Sequence, residues 1–247
     1  MIVDRIIMLL KRRKMASKLG VRFVRSASFR LPDSICLDGQ MQKLSLPDEN
    51  GVKVAFIDLL LDDCYGCRVL QERGTQIKTV LDIGGNVGLF GVAACNSFPD
   101  AKLHCYEPNR QLEQYLSVQA QSAGFNYFME AVGLQNGMIF LDLNEDSVQT
   151  RSKQDSDGNV PQIAFRKAIE RLGGKVDLLK MDCEGTEWEM FKDRDSWERV
   201  RNLSMEYHLF KPEHTEQTVK QTIDDLGFAI TSFVHVDNFG LLTATRK

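Results

Sequence analysis

No stretch of this 247-residue sequence is apolar for long enough to cross a bilayer. The N-terminal run over residues 2–10 is about half the ~20 residues that a spanning helix needs. A secretory signal is not expected either, because Lys11-Arg12-Arg13-Lys14 follows the apolar run instead of preceding it. There is no internal repeat, which excludes a solenoid. Zinc-ligand spacing is missing: Cys64-Tyr65-Gly66-Cys67 has no second such pair and no neighbouring couple of histidines. The six cysteines, Cys36, Cys64, Cys67, Cys95, Cys105 and Cys183, fall mostly in strand-like or helix-like segments, as expected of reduced, buried thiols in a cytoplasm. Histidine is scarce at four residues, so each imidazole can be weighed singly.

A basic body is also missing. The net charge is −3, yet residues 1–30 hold nine Lys or Arg against the single Asp4, a net +8 that leaves −11 on the rest. The acidic remainder argues against general nucleic-acid binding. For the basic segment two readings stand: an interfacial helix giving peripheral contact with an anionic membrane, or a helix packed on the domain with a solvated basic end.

What is present is a ligand turn. Val80-Leu81-Asp82-Ile83-Gly84-Gly85-Asn86-Val87-Gly88 runs from an apolar strand through an acid and a glycine-rich turn into an apolar helical segment. In an open α/β sheet the ligand lies in the crevice at the carboxyl ends of the strands, and glycine lets backbone N–H groups approach it. Asp82 stands where a pyrophosphate would lie, so a ligand carrying positive charge is favoured. S-adenosylmethionine, with its ammonium and sulfonium, fits. Asn86 takes a position where left-handed backbone is expected, which Asn tolerates.

The next strand, 103–107, delivers Glu107 at a spacing where an acid accepts both ribose hydroxyls. Pro108 stops that strand, and Asn109 caps the following helix. Cofactor-binding candidates are therefore Asp82, Gly84, Asn86, Gly88, Glu107, Pro108 and Asn109, joined by Ala131 near the end of the third strand and Asp182 further on.

From Thr79 onward strands and helices alternate, as in a parallel sheet with helices on both faces. Strands are expected at 79–83, 103–107, 127–132, 138–143, 176–182, 203–209, 229–236 and 241–245, the last two forming an antiparallel hairpin. Residues 31–76 suggest turns and a hairpin. Residues 144–161 are almost devoid of apolar side chains and read as a mobile loop, either a lid or a solvated insertion.

The strand over 176–182 ends in Asp182, followed by Glu184 and Glu187; the next ends in Glu206-Tyr207-His208. Glu187 alone would suit a helix N-terminus. His208 has an acid two residues earlier on the same strand face, so it can be a base tuned by that acid. His214 can swing toward the site or cap the next helix, while His104 and His235 read as ordinary strand residues. Trp188 and Trp197 read as helix packing, with Trp188 close enough to the acidic turn to line a pocket. The carboxylates can also hold a divalent cation, although their spacing specifies a metal poorly.

These residues resemble the FkbM family of S-adenosylmethionine-dependent methyltransferases. The resemblance rests on the turn through Gly88, a variant of the family's Asp-x-Gly-Ala-Asn-x-Gly with Gly85 in place of Ala, and on Tyr106-Glu107-Pro108-Asn109. Above all it rests on Asp177-Leu178-Leu179-Lys180-Met181-Asp182-Cys183-Glu184-Gly185-Thr186-Glu187, similar to Asp-Leu-Leu-Lys-x-Asp-x-Glu-Gly-x-Glu. It implies a Rossmann-like class I methyltransferase fold: a seven-stranded, mostly parallel α/β sheet with a C-terminal antiparallel hairpin and helices on both faces. It assigns residues 55–247 to the methyltransferase domain and 1–54 to an N-terminal extension. The implied activity is O-methylation of a sugar, glycan or other small hydroxylated metabolite, with His208, Glu184 and Glu206, in that order, as candidate bases. The alternatives are a nicotinamide-dependent oxidoreductase and a non-catalytic binding module.

Overall fold

Val80 and Leu81 are both fully buried although they face opposite sides of one strand, the mark of a strand covered on both faces. Val80 packs with Leu89, Phe90 and Leu116 on one side. Leu81 and Ile83 pack with Phe165, Ile169, Trp197 and Ile223 on the other.

The computed structural model describes residues 2–22, 29–37, 39–142, 151–154 and 158–247. Helix α1 (Ile2–Lys18) comes first, followed by a hairpin of β1 (Ser34–Leu37) and β2 (Gln40–Lys43). Helix α2 (Asn50–Phe56) runs into a π-helical turn, Ile57–Asp62, and then α3 (Cys67–Glu72). The alternating part contains β3 (Thr79–Ile83), α4 (Leu89–Ser97), β4 (Lys102–Tyr106), α5 (Glu113–Ala123) and β5 (Asn126–Phe128). A side sheet follows, made of β6 (Ala131–Gly133), β7 (Gly137–Asp142), β8 (Arg151–Gln154) and β9 (Val160–Ala164). The chain then returns through α6 (Phe165–Leu172), β10 (Val176–Met181), α7 (Glu187–Met190), α8 (Arg194–Trp197), β11 (Val200–His208), α9 (Glu216–Asp225), β12 (Phe228–Val236) and β13 (Phe239–Arg246).

The main sheet has seven strands in the order β12-β13-β11-β10-β3-β4-β5, with β13 antiparallel to both neighbours and the other pairs parallel. The order reverses between β10 and β3, so the ends of these two strands and their neighbours open the crevice that an α/β sheet uses for ligands.

Two expectations change. The strand over 127–132 is two strands: β5 ends the main sheet, and β6 pairs with β9 in the side sheet. Of the loop expected over 144–161, residues 151–154 form β8, paired antiparallel to β7, and Val160 and Pro161 belong to β9. The sequence of Arg151–Gln154 has no apolar alternation; its backbone pairing with β7 places it at the edge of the side sheet. Residues 143–150 and 155–157 lie outside the described residues. The hairpin expected before the main sheet is β1–β2, but much of 50–72 is helical.

The segment before residue 55 contributes Ala16, Phe29, Ile35 and Val52 to the same core cluster as Val80. All six cysteines are free. Among the described residues no helix is long and apolar enough to cross a membrane.

Candidate functional site

A cavity of about 580 Å³ opens at the carboxyl ends of β3, β4, β10 and β11. Its nucleoside-like half is built by the glycine turn. The N–H groups of Gly84 and Gly85 both donate to the Tyr106 carbonyl at 3.0 Å, which pins the turn to the end of β4. A Cβ on Gly84 would lie 1.7 Å from the Asp182 carbonyl oxygen, so the two strand ends approach this closely only with glycine there. Asn86 adopts the left-handed backbone expected of it, at φ 48°. A Cβ on Gly85 would meet the Cys105 Sγ at 2.0 Å; the sulfur occupies the space in which the family's usual alanine would put its methyl.

Glu107 is buried. One of its oxygens accepts the Asn86 N–H at 2.8 Å and the other accepts the Asn109 N–H, also at 2.8 Å. Burial nevertheless outweighs these two bonds and lifts the carboxyl to about 7. Each oxygen keeps a lone pair for a hydroxyl donor. Gly84, Asn86, Glu107, Pro108, Ala131 and Asp182 all line the cavity. Asn109 and Gly88 do not: the Asn109 side chain accepts the Gln111 N–H at the start of the next helical turn, and Gly88 precedes α4 at φ 86°, packed against Leu116.

Asp82 is the main correction. It lies wholly buried, with Lys180 Nζ 3.4 Å away, and does not line the cavity. Burial pushes the Asp82 carboxyl up and Lys180 opposes it. Burial would lower the Lys180 ammonium, but Asp82 and Asp182 raise it well above the usual lysine range. Lys180 therefore stays charged, donates to the Gly84 carbonyl at 2.5 Å, and stands 3.9 Å from Asp182. The reasoning that placed a carboxylate against a cationic ligand passes to Asp182, which Tyr65 also contacts through its hydroxyl at 3.3 Å. Neither Lys180 nor Tyr65 was a candidate from sequence. Lys180 sits inside the signature motif, yet an apolar strand gives no sign of which way its lone cation turns.

The other half of the cavity collects carboxylates around one imidazole. Glu187 is fully buried, not a solvent-facing helix-start acid. It accepts the His208 backbone N–H at 2.8 Å and stands 3.1 Å from His208 Nδ1 with one oxygen, while the other accepts the Gly185 N–H at 2.8 Å. On the far side of the ring, His208 Nε2 lies 3.5 Å from Glu184 and 3.4 Å from Glu206. Both ring nitrogens thus face carboxylate oxygens, and where those carboxylates are ionised they accept only, which favours a hydrogen on each nitrogen. Burial works against the charged ring, but Glu187 and Glu206 prevail and raise His208 to about 10. Burial together with Asp182, Glu206 and Glu187 lifts Glu184 to about 7, with His208 opposing. Glu206 is also raised, by burial first.

Glu184 holds left-handed backbone at φ 51° and Gly185 follows at φ 97°, a costly conformation for a non-glycine residue. The Gly185 N–H bond to Glu187 holds this bend and turns Glu184 toward His208. Asp182, Glu184 and His208 also bring ligand atoms within 4.8 Å of one another, a spacing a cation can bridge.

The remaining candidates take structural places. His214 stacks on Trp188 at 3.8 Å; the cap of α9 is Thr215, whose side chain accepts the Thr218 N–H at 3.1 Å. Trp188 does not line the cavity, and its indole N–H donates to the His208 carbonyl at 2.8 Å. Trp197 is core. His104 is a buried strand residue set edge-on to Phe128.

Residues 73–239 match the methyltransferase FkbM domain. The chain belongs to the FkbM methyltransferase family. Among its relatives, Methyltransferase sdnD of Sordaria araneosa is 26% identical over 258 residues, spanning 84% of this chain and 96% of the relative. Methyltransferase 1 of Beauveria bassiana (strain ARSEF 2860) is 24% identical over 235 residues, spanning 77% and 90%. Magnesium protoporphyrin IX methyltransferase (ChlM) of Synechocystis PCC 6803, solved with bound SAM, is 12% identical, covering 82% of this chain and 87% of that one at a TM-score of 0.48. This FkbM protein is therefore an S-adenosylmethionine-dependent methyltransferase, and the nicotinamide-dependent alternative falls away.

Proposed function

We propose that this FkbM methyltransferase O-methylates a hydroxyl of a sugar, glycan or other small hydroxylated metabolite. The observation that carries the reading is the pair of cavity carboxylates, Glu184 and Glu206, held against a charged His208. A neutral hydroxyl is a weak nucleophile, and a base that takes its proton as the new bond forms raises the rate. With both ring nitrogens protonated His208 cannot take that proton, so Glu184 replaces it as first candidate. Its carboxyl is raised to about 7 by burial, close to the working pH at which a general base is most effective. His208 then acts as the fixed cation that opposes the rise of these acids, and Glu187 positions it.

When bound, S-adenosylmethionine supplies a methyl group on a sulfonium, activated toward attack. Glu107 would hold its ribose hydroxyls, Asn86 and Gly84 would border the nucleoside, and Asp182 would face the cationic methionine end. The cavity suits such a ligand because Asp182, Glu184 and Glu206 outnumber the cations Lys180 and His208 there, an arrangement that disfavours a diphosphate.

The test is release of S-adenosylhomocysteine from the purified protein over a panel of hydroxylated acceptors, amines and thiols. Turnover confined to hydroxyl acceptors supports the reading. Turnover confined to amines or thiols, or none with any acceptor despite cofactor binding, overturns it, and the second result would favour a binding module. A divalent cation on Asp182, Glu184 and His208 is the other way to activate the oxygen. Loss of turnover on chelation, restored by added metal, would favour it over Glu184 as base.

A further inference from the structure

Helix α1 turns an apolar and then a basic surface away from the protein. Residues three or four apart share a helix face, so the half-buried Arg12 and Met15 and the buried Ala16 define the side that packs on the body. That side is fixed by Arg12, whose Nε donates to Asp62 at 2.8 Å. Ile6 and Leu10 lie on a different stripe, which continues as Arg13 and Lys14; all four are exposed, Ile6 by 51% and Leu10 by 59%. Ile7, Met8 and Leu9 are exposed as well. Single exposed apolar residues are ordinary, but here the first half of the helix is apolar and exposed around its circumference, with Ile6 and Leu10 on the stripe that Arg13 and Lys14 continue. Among the described residues no ion pair is formed by Lys11, Arg13 or Lys14.

The occupant of this face must be apolar at one end and anionic at the other. An acidic protein or a nucleic acid would satisfy Arg13 and Lys14 while leaving Ile6 and Leu10 in water. A second copy of the chain would cover Ile6 and Leu10 but bring like charges together. An anionic bilayer surface offers both environments within the length of one helix lying flat, with acyl chains below and phosphates beside it. We propose that residues 5–14 of α1 seat the enzyme on an anionic lipid surface. The acidic remainder of the chain, repelled by the same surface, would leave the basic helix as the contacting element. The π-helical turn Ile57–Asp62, which α1 grips through Asp62, also gives Asp58 and Leu59 to the cavity wall, so this seating keeps the cavity close to the lipid.

Co-sedimentation of the full chain with phosphatidylserine/phosphatidylcholine vesicles, and with phosphatidylcholine alone, tests this. Binding should require phosphatidylserine, fall with added salt, and drop roughly 25-fold in Arg13→Ala/Lys14→Ala, at about fivefold for each base. Ile6→Gln/Leu10→Gln should also lose binding, while S-adenosylmethionine affinity and melting temperature stay unchanged in both variants. No binding to phosphatidylserine vesicles at low salt overturns the proposal, as does binding unaltered in both variants. If sedimentation velocity without lipid shows a dimer that Ile6→Gln/Leu10→Gln dissolves, and vesicles do not bind, the face belongs to a second copy.

Discussion

Burial raises acids in both halves of the cavity, but the halves answer them with different partners. At the ends of β3 and β4 each acid is answered on the spot: Asp82 by Lys180 behind the wall, Glu107 by the N–H groups of Asn86 and Asn109. At the ends of β10 and β11 three glutamates converge on one imidazole, and two of them, Glu184 and Glu206, are raised above their ordinary range. The first, on the proposed reading, makes a fixed receptor for ribose hydroxyls through Glu107. The second, on the same reading, supplies the carboxylate that takes a proton from the methyl acceptor.

The largest expected effect separates the halves by rate. Glu184→Gln should lower kcat by roughly 100-fold to 10,000-fold, the range for a lost general base, with cofactor affinity near wild type. The wild-type rate should rise with pH through about 7, as Glu184 loses its proton, and level off above it; this limb should vanish in the variant. A variant that keeps full turnover would break the contrast and move the base to Glu206.

Next comes stability. Lys180→Met leaves the Asp82 carboxyl buried without its cation, raising it further, and should cost about 3–5 kcal/mol in denaturant unfolding. Adding Asp82→Asn to the same chain should recover much of that loss. If the double variant is no better than Lys180→Met, the pair is not what stabilises the floor of the cavity.

The smallest effect lies in the receptor half. Glu107→Ala removes charge-assisted bonds to ribose hydroxyls and should weaken S-adenosylmethionine binding by about 1.5–3 kcal/mol in calorimetry, with kcat at saturating cofactor little changed. Unchanged affinity would remove Glu107 from the site.

How much of this was legible in the sequence follows the same division. The glycine turn, the left-handed Asn86, the acid after β4 and the reversed last strand are written in local spacing, because a turn and its flanking strands are set by neighbours in the chain. The fate of Asp82 was not legible, since it depends on Lys180, which lies on the adjacent strand β10 and almost a hundred residues away in sequence. Glu187 does start a helix, but its burial was not legible because its partner, His208, belongs to another strand end. The side sheet was missed for a further reason: β8 has no apolar alternation to betray it, and the break between β5 and β6 falls within an unbroken apolar stretch.

The charge on His208 is what distinguishes the two halves, and nitrogen NMR of its imidazole from about pH 6 to about pH 11 reads it directly. The folded ring is raised from 6.5 to about 10, so its contribution to stability should be complete below about 6.5 and lost as the pH rises through about 10. Both ring nitrogens protonated at pH 8, titrating together near 10, is the result that the three surrounding glutamates require. A His208 ring already neutral at pH 8 would contradict it, and would return the role of base to the imidazole.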